Sequence, residues 1–265
     1  MGRLQAASDG ARVSDRRRLV TAILLVVVAV SNSAFLIAPL VGARLSLNQS
    51  FVSELGANGE PGAIVFRLSD FVTGSLLIIS SLLLWRVFPR TKLARIAQIC
   101  LLCVAVLTLA DAFLPLDCVS SADQLCRALE TKRLLSLSHQ THFYTGIIEW
   151  TLINIALGFF AWSLRNKLGW QTLSKIAFPL AGFYLVGNMV IIVQYLREVP
   201  HLGITQRCQI LAFSAFLLLL AVEQYSASRI DRRPQSGAAV IDISQRPQRR
   251  SAVKNEQQAR DQRIG

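Results

Sequence analysis

The three histidines of this 265-residue chain are the first residues whose type and spacing could support chemistry. His139 and His142 are three positions apart, so they share a face if their segment is helical, and His201 lies in a later polar segment. Three imidazoles can hold a zinc ion and leave a fourth ligand position for water, which the metal would activate for hydrolysis. The alternative is that these histidines bond to loop backbone and water. The H-x-x-H spacing alone is a weak signal for a metal site, so this second interpretation is favoured.

Acidic residues in or at the ends of long apolar segments are the second group of candidates. Asp70, Asp111 and Glu149 are of this kind, and a charged side chain there is costly unless it is paired. Arg67 lies three positions before Asp70, within reach of an i,i+3 ion pair in a helix. Because buried charges of this kind are usually paired or functional, the three carboxylates are candidate binding or proton-transfer groups.

Six apolar stretches must position these residues. They cover residues 19–40, 68–88, 96–116, 143–164, 176–196 and 208–228. Each stretch is long enough to cross the ~30 Å hydrocarbon core of a bilayer as a helix, at about 1.5 Å per residue. Hydrophobic residues make up 52% of the chain and charged residues 17%, a composition that excludes most soluble enzymes. The sequence predicts an all-α fold, a six-transmembrane-helix bundle.

Lysine and arginine are plentiful in alternate connections and scarce in the others. The two terminal segments and the connections after the second and fourth spans hold 21 of the 28 basic residues, and the other three connections hold seven. Since positive charge gathers on the cytoplasmic side of membranes, we expect a multi-pass protein of the cell membrane with both termini in the cytoplasm. The net charge of +12 then reflects orientation and contact with anionic membrane lipid, and no nucleic-acid partner is expected.

The predicted domain organisation is a membrane domain between two polar tails. A disordered basic tail covers residues 1–18, the membrane domain 19–228, and a second disordered basic tail 229–265. The C-terminal tail is rich in Arg, Gln and Ser and has little apolar surface to bury. The first apolar stretch is longer than the ~7–15 residues of a signal-peptide core, so we expect it to be retained as a helix.

Two of the five cysteines lie in the second outer loop of this topology. Cys118 and Cys126 are eight positions apart, which allows the loop to fold back within bonding distance. Thiols outside the cytoplasm can oxidise. We therefore predict a Cys118–Cys126 disulfide with a structural role, pinning the loop over the bundle.

Several short motifs occur in a characteristic order along the chain. Ser53-Glu-Leu-Gly56 precedes the second span, and Phe113-Leu-Pro115-Leu-Asp117 closes the third. Ser136-x-x-His139-x-x-His142 opens the fourth, and Gly203-Ile-Thr-Gln-Arg207 opens the sixth. In order and position they resemble the bacterial multi-pass membrane family catalogued as domain of unknown function 998, over about residues 20–225. The resemblance implies a compact six-helix bundle and no established activity. The motif residues that it marks are Ser53, Glu54, Gly56, Pro115, Asp117, His139, His142, Gln206 and Arg207.

Together these observations predict a polar cluster on the outer side of the bundle. Its members are Ser53, Glu54, Arg67, Asp70, Asp111, Asp117, His139, His142, Glu149, Gln206 and Arg207. The favoured interpretation is a non-enzymatic integral membrane protein whose cluster binds a lipid headgroup, a small solute or a partner protein, with no cofactor.

Two other functions fit the same cluster. One is a zinc-dependent hydrolase acting on lipid, with His139, His142 and His201 as ligands and Asp111 or Glu149 as base. The other is a small proton-coupled transporter that uses the buried carboxylates. The sequence contains no P-loop, G-x-S-x-G or H-E-x-x-H motif, which argues against the common enzyme classes. The carboxylates are predicted near the outer surface and not at the midplane, which argues against the transporter.

Overall fold

The computed structural model describes residues 2–167, 169–197 and 202–231, with side chains described for 16–167, 169–197 and 203–226. This part of the chain is all-helical and contains no strand. Its α-helices are α1 (Gly2–Asn32), α2 (Ala63–Val87), α3 (Lys92–Asp111), α4 (Gln124–Thr131), α5 (Leu137–Leu164), α6 (Gln171–Leu196) and α7 (Leu202–Asp231). Two 3-10 helices, Ala34–Val41 and Ser53–Gly56, lie between α1 and α2.

Five of the described helices are long and apolar enough to cross a membrane: α2, α3, α5, α6 and the Gly203–Ser226 part of α7. A sixth span results if Arg16–Asn32 and Ala34–Val41 count as one span bent by 44°. Large apolar side chains such as Leu82 and Met189 are exposed on the outside of the bundle, as expected for a surface against lipid tails. The predicted all-α membrane-type bundle is confirmed, with five or six candidate spans.

The bend after α1 has local causes in the sequence. The hydroxyls of Ser31 and Ser33 bond to backbone carbonyl oxygens of the preceding turn, a pattern that bends helices. Pro39 has no N–H with which to continue an α-helix. Asn32 Nδ2 donates to Ser214 Oγ of α7 at 2.9 Å, so the bend is also held by a neighbouring helix.

The helices approach closely where small residues lie between them. Helix α3 packs against α2 and α5, and α5 packs against α6. Gly74 of α2 lies directly against the backbone of α3, since a Cβ atom at this position would be 2.5 Å from the backbone nitrogen of Leu109. Leu77 and Leu101 are fully buried beside this contact. Close packing around small residues is the usual way in which membrane helices associate.

Two boundaries in the connections differ from the sequence prediction. Helix α3 ends at Asp111 and not at residue 116, because the chain tightens into a turn at Phe113 and Pro115 cannot continue a helix. A short helix, α4, forms in the second connection. It was not predicted, although the Asp123 side chain that accepts from the Leu125 N–H is a common helix start.

The predicted tails lie at the limits of the described chain. Helix α1 begins at Gly2, so the backbone of residues 2–18 is helical where the sequence predicts disorder. The division between that tail and a membrane domain stays a prediction. Chain contacts divide the protein into a unit of residues 1–228 and a unit of residues 229–265. The helical bundle is the first unit, and the predicted C-terminal tail beyond Asp231 lies outside the described residues.

Candidate functional site

The candidate residues collect at one end of the bundle, which we call the loop end. It consists of the connections 42–62 and 112–136 and the adjoining ends of α2, α3, α5, α6 and α7. Cys118 and Cys126 lie at disulfide-bond distance in the second connection, with Cα atoms 6.0 Å apart, so the predicted pairing is confirmed. The disulfide ties helix α4 to the turn that follows α3.

Glu54 joins the two connections of the loop end. It is 2% exposed, and its carboxylate accepts hydrogen bonds from the Phe51 N–H at 2.8 Å, the Ser121 N–H at 2.8 Å and the Ser121 hydroxyl at 2.6 Å. The Ser120 hydroxyl adds a longer contact of 3.3 Å. Burial raises the pKa of Glu54, and the hydrogen bonds from Ser121, Phe51 and Ser120 lower it without cancelling that effect. Glu54 therefore acts as a structural link between loops.

The start of α7 holds the first connection from the other side. Arg207 Nη1 donates to the carbonyl oxygens of Leu47 at 2.9 Å and Ser50 at 2.7 Å. Gln206 Oε1 accepts from the Val52 N–H. These bonds bring together two of the motifs that the sequence places more than a hundred residues apart.

Asp117 and His139 fix the start of α5. Asp117 accepts from the backbone N–H and the hydroxyl of Ser136, both at 2.7 Å, and its own N–H donates to His139 Nδ1 at 3.1 Å. Burial opposes the charged form of Asp117, but the two bonds from Ser136 and the neighbouring His139 outweigh it and lower the pKa. The charged carboxylate thus stabilises the fold here.

This arrangement predicts a pH-dependent effect of Asp117→Asn. Because the folded pKa lies below the ordinary 3.8, the stabilisation is present above the unfolded pKa and is lost as pH falls through the folded value. At pH 7 we expect the variant to lose about 1 kcal/mol, a modest value because the group is partly exposed. Thermal unfolding in detergent should show a lower Tm than wild type at pH 7 and a shrinking difference below pH 4.

Asp123→Asn is the matched control, because asparagine caps a helix as well as aspartate does. It should unfold as the wild type does at every pH. A difference between Asp117→Asn and wild type that persists unchanged at pH 3 would contradict the role of the charge.

The predicted ion pair between Arg67 and Asp70 is not formed. Arg67 Nε donates to the Gly56 carbonyl oxygen at 2.8 Å, and Nη2 donates to Asn58 Oδ1 at 2.7 Å. The guanidinium therefore turns back toward the first connection, where backbone carbonyls need donors. Asp70 is left without a hydrogen bond from any described residue and lines an inner cavity.

Two carboxyl groups inside the bundle each lie against a threonine. Thr145 Oγ1 is 2.5 Å from Asp111 Oδ1, and Thr108 Oγ1 is 2.8 Å from Glu149 Oε1. Each hydroxyl also faces a backbone carbonyl oxygen of its own helix, at 2.8 and 3.0 Å respectively. A hydroxyl has one hydrogen to donate, so a protonated carboxyl that donates to the threonine satisfies all three groups. Neutral acids also avoid the cost of burying an unpaired charge.

A groove of about 400 Å³ opens between α5 and α6. Its side walls are apolar and aromatic: Phe143, Ile147 and Trp150 from α5, and Ile191, Ile192 and Tyr195 from α6. Ile147 and Ile192 are about half exposed at its edge, so the groove opens sideways toward the lipid-facing surface. Its inner end is polar and carries Asp111, His142 and Glu149.

A smaller inner cavity of about 120 Å³ continues from that polar end. It shares Asp111, His142 and Glu149 with the groove and adds Asp70 and Gln209. Ser53 and Gln206 of the loop end line both spaces. The groove and the inner cavity are therefore adjacent spaces that share polar walls, and together they form one candidate site with an apolar and a polar part.

The two described histidines bond to loop backbone. His139 Nδ1 accepts from the Asp117 N–H, and His142 Nδ1 lies 2.7 Å from the Leu114 carbonyl oxygen. The third member of the predicted zinc set, His201, lies outside the described residues. Within the residues that are described, no group of three His, Cys, Asp or Glu side chains is placed to hold a metal ion.

The predicted polar cluster thus divides into two groups. Residues that hold the loops are Glu54, Arg67, Asp117, His139, Gln206 and Arg207. Residues that line the groove or the inner cavity without such a role are Ser53, Asp70, Asp111 and Glu149. His142 does both, since it bonds to the Leu114 carbonyl oxygen and lines both spaces. Sequence reasoning missed the uncharged polar partners Thr108, Ser121, Thr145, Asn188 and Gln209. The signal for most of them was a polar residue inside an apolar helix.

Comparison with known proteins agrees with the motif resemblance. The model of a family described as "Protein of unknown function (DUF998)" matches residues 20–223, which contain most of the bundle and the loop end. No curated protein and no solved structure matches the chain. The chain is therefore a membrane-type helical protein that belongs to the DUF998 family.

Proposed function

We propose that this protein is a non-enzymatic integral membrane protein that binds one amphiphile, a membrane lipid or a lipid-like molecule, in the groove between α5 and α6. The apolar part of the ligand lies between the two helices and its polar group lies at the inner end. The site belongs to a six-span protein of the cell membrane, with the loop end outside and both termini in the cytoplasm. The distribution of basic residues supports this orientation, and the Cys118–Cys126 pair supports an oxidising compartment for the loop end.

The observation that carries the proposal is the combination of a lateral opening and a polar end in one groove. A volume of about 400 Å³ is within the usual range of ligand sites, which are mostly apolar with a few polar groups that fix orientation. Because Ile147 and Ile192 are exposed at the edge, a lipid can enter from the bilayer without crossing water. The polar groups at the inner end would be costly in contact with lipid tails alone, and a polar ligand group offsets that cost.

Filling the groove tests the proposal. Gly146 lines the groove on α5, and a Cβ atom there would meet no other atom within 4 Å, so Gly146→Phe places a ring in the groove without disturbing the helix. Native mass spectrometry of protein released from phospholipid nanodiscs should show one retained lipid on the wild type. We expect at least a fivefold lower occupancy on Gly146→Phe.

Gly158→Phe is the matched control, because Gly158 also lies on α5 with open space around its Cβ position but does not line the groove. It should retain lipid as the wild type does. Equal lipid occupancy on all three proteins would contradict the proposal. A loss of lipid from both variants would indicate general loosening of the bundle.

A further inference from the structure

We infer that the polar group bound at this site is a primary ammonium, seated in the inner cavity beyond the groove. This inference rests on the function proposed above and narrows its ligand. The shared chemistry is a primary amine, carried either by a lipid headgroup such as that of phosphatidylethanolamine or by a small soluble amine.

The inner cavity has the right size and position for such a group. Its volume of about 120 Å³ is several times the ~10–15 Å³ that a cavity needs to hold one water, which is room for an ammonium and its adjoining methylenes. It meets the groove at Asp111, His142 and Glu149, which line both. The terminal group of a ligand whose chain lies between α5 and α6 therefore has only these three side chains between it and the cavity.

Gln209 presents an acceptor that nothing satisfies among the described residues. It is 1% exposed, lines the cavity, and its Oε1 has no hydrogen-bond partner there. The orientation of the amide is set by Nε2, which donates to the Tyr184 carbonyl oxygen at 3.2 Å and to Asn188 Oδ1 at 2.9 Å. A carbonyl oxygen only accepts, so Oε1 cannot take the place of Nε2. A buried acceptor without a donor is costly, and a ligand N–H removes that cost.

The acceptor groups that line the cavity favour a cation over an anion. Asp70, Asp111 and Glu149 all line it, and Asp70 receives no hydrogen bond from any described residue. Neither the cavity nor the groove has a lysine or arginine among its described lining residues. The nearby guanidiniums of Arg67 and Arg207 are bonded to carbonyl oxygens of the first connection. An anionic group would meet acceptors and carboxyls with no cation to balance it.

The hydrogen-bond pattern favours a primary ammonium over a quaternary one. A primary ammonium has three N–H donors, enough for Gln209 Oε1 and two carboxyl oxygens. A quaternary ammonium has none and would leave Gln209 Oε1 unsatisfied. The cavity does contain aromatic side chains, including Trp150 and Phe213, which can bind quaternary groups by cation–π contact, so choline lipids are the informative competitor.

The test uses full-length protein in nanodiscs that contain equal amounts of phosphatidylethanolamine, phosphatidylcholine and phosphatidylglycerol. Native mass spectrometry should find phosphatidylethanolamine enriched at least tenfold over the other two on the retained site. Asp70→Asn should reduce this enrichment below twofold while total lipid occupancy stays unchanged, because the substitution is isosteric and breaks no described hydrogen bond. Glu60→Gln, which removes a carboxyl outside both spaces, should keep the full enrichment.

A second arm identifies the source of the amine. If ethanolamine raises the Tm of the wild type but not of Asp70→Asn, and lipid shows no headgroup preference, the ligand amine is a soluble one. Enrichment of phosphatidylethanolamine without an ethanolamine effect assigns it to the lipid. Two outcomes overturn the ammonium inference and leave the groove function intact, provided that lipid retention still depends on Gly146. In the first, the retained lipid shows no headgroup preference and ethanolamine has no effect on Tm. In the second, the protein prefers phosphatidylcholine. Retention that does not depend on Gly146 overturns the groove function, and the ethanolamine arm alone then decides the inference.

Discussion

Replacing Gly74 by valine is expected to cost the bundle about 3 kcal/mol of folding free energy, at the upper end of overpacking effects. The new Cβ atom would lie 2.5 Å from the backbone nitrogen of Leu109 and 2.7 Å from its Cα, so α2 and α3 must move apart. Backbone atoms cannot turn aside as a flexible side chain can. In a chain of this size the loss corresponds to a fall in Tm of about 10 °C. Thermal unfolding in detergent measures the Tm, and size-exclusion chromatography measures how much monomer is recovered.

Gly158→Val is the control for this prediction. It adds the same side chain to a helical glycine whose Cβ position has no neighbour within 4 Å, so its Tm should stay within about 2 °C of wild type. Membrane helices associate through close packing around small residues, and of the two glycines only Gly74 lies in such a contact. Equal losses of Tm in both variants would show that the α2–α3 contact is not what limits stability.

Replacing Arg207 by methionine is expected to destabilise the loop end by about 3 kcal/mol. Arg207 is 7% exposed and is the described donor to the carbonyl oxygens of Leu47 and Ser50, and each buried acceptor that loses its donor costs about 1–3 kcal/mol. Methionine keeps much of the volume, so the effect reports hydrogen bonding and not a cavity. Hydrogen exchange should show faster exchange of the 47–54 backbone in addition to a lower Tm.

Two further variants make the Arg207 result specific. Arg197→Met removes an exposed arginine at the same end of the bundle and should unfold as the wild type does. Arg207→Lys keeps a cationic donor but not the planar fork of the guanidinium, so it should recover part of the lost stability. If Arg207→Met has the same Tm as the wild type and the hydrogen exchange of residues 47–54 is unchanged, the arginine does not hold the loop.

The Arg207 bonds also matter for the candidate site. They position the first connection, whose Ser53 lines both the groove and the inner cavity, and the neighbouring Gln206 lines them as well. Loosening this connection should therefore weaken lipid retention together with stability. Gly146→Phe should affect retention alone, which separates the structural role of the loop end from ligand binding in the groove.

Local chemistry was enough to predict the helices and the disulfide. Runs of apolar residues long enough to cross a bilayer leave the backbone no alternative to helix there. Cys118 and Cys126 pair within one short connection, so no distant part of the chain decides their contact. The sequence also placed the motifs at Ser53–Gly56 and Gly203–Arg207 at one end of the bundle. Successive spans run in opposite directions, so the connections that carry these motifs lie on the same side.

The partners of individual polar residues were not predictable in the same way. Arg67 was expected to pair with Asp70 but bonds to the Gly56 carbonyl oxygen and Asn58, since the competing acceptors belong to a loop whose path depends on the whole bundle. Glu54 was predicted as a member of the polar cluster; it lines the groove and also accepts from Phe51 and Ser121, bonds that the sequence did not predict. Both outcomes depend on how two connections fold against each other.

The amino-acid sequence by itself determined that this protein is an all-helical membrane-type bundle, and it predicted a polar cluster at one end. Only the tertiary structure decided which of those groups hold loops and which line a groove. The physical reason is that helix formation in an apolar segment depends on the segment alone, whereas a groove depends on the rotation and spacing of two helices. The sequence of α5 and α6 contains most of the groove-lining residues, but only the packing of the two helices leaves about 400 Å³ open between them.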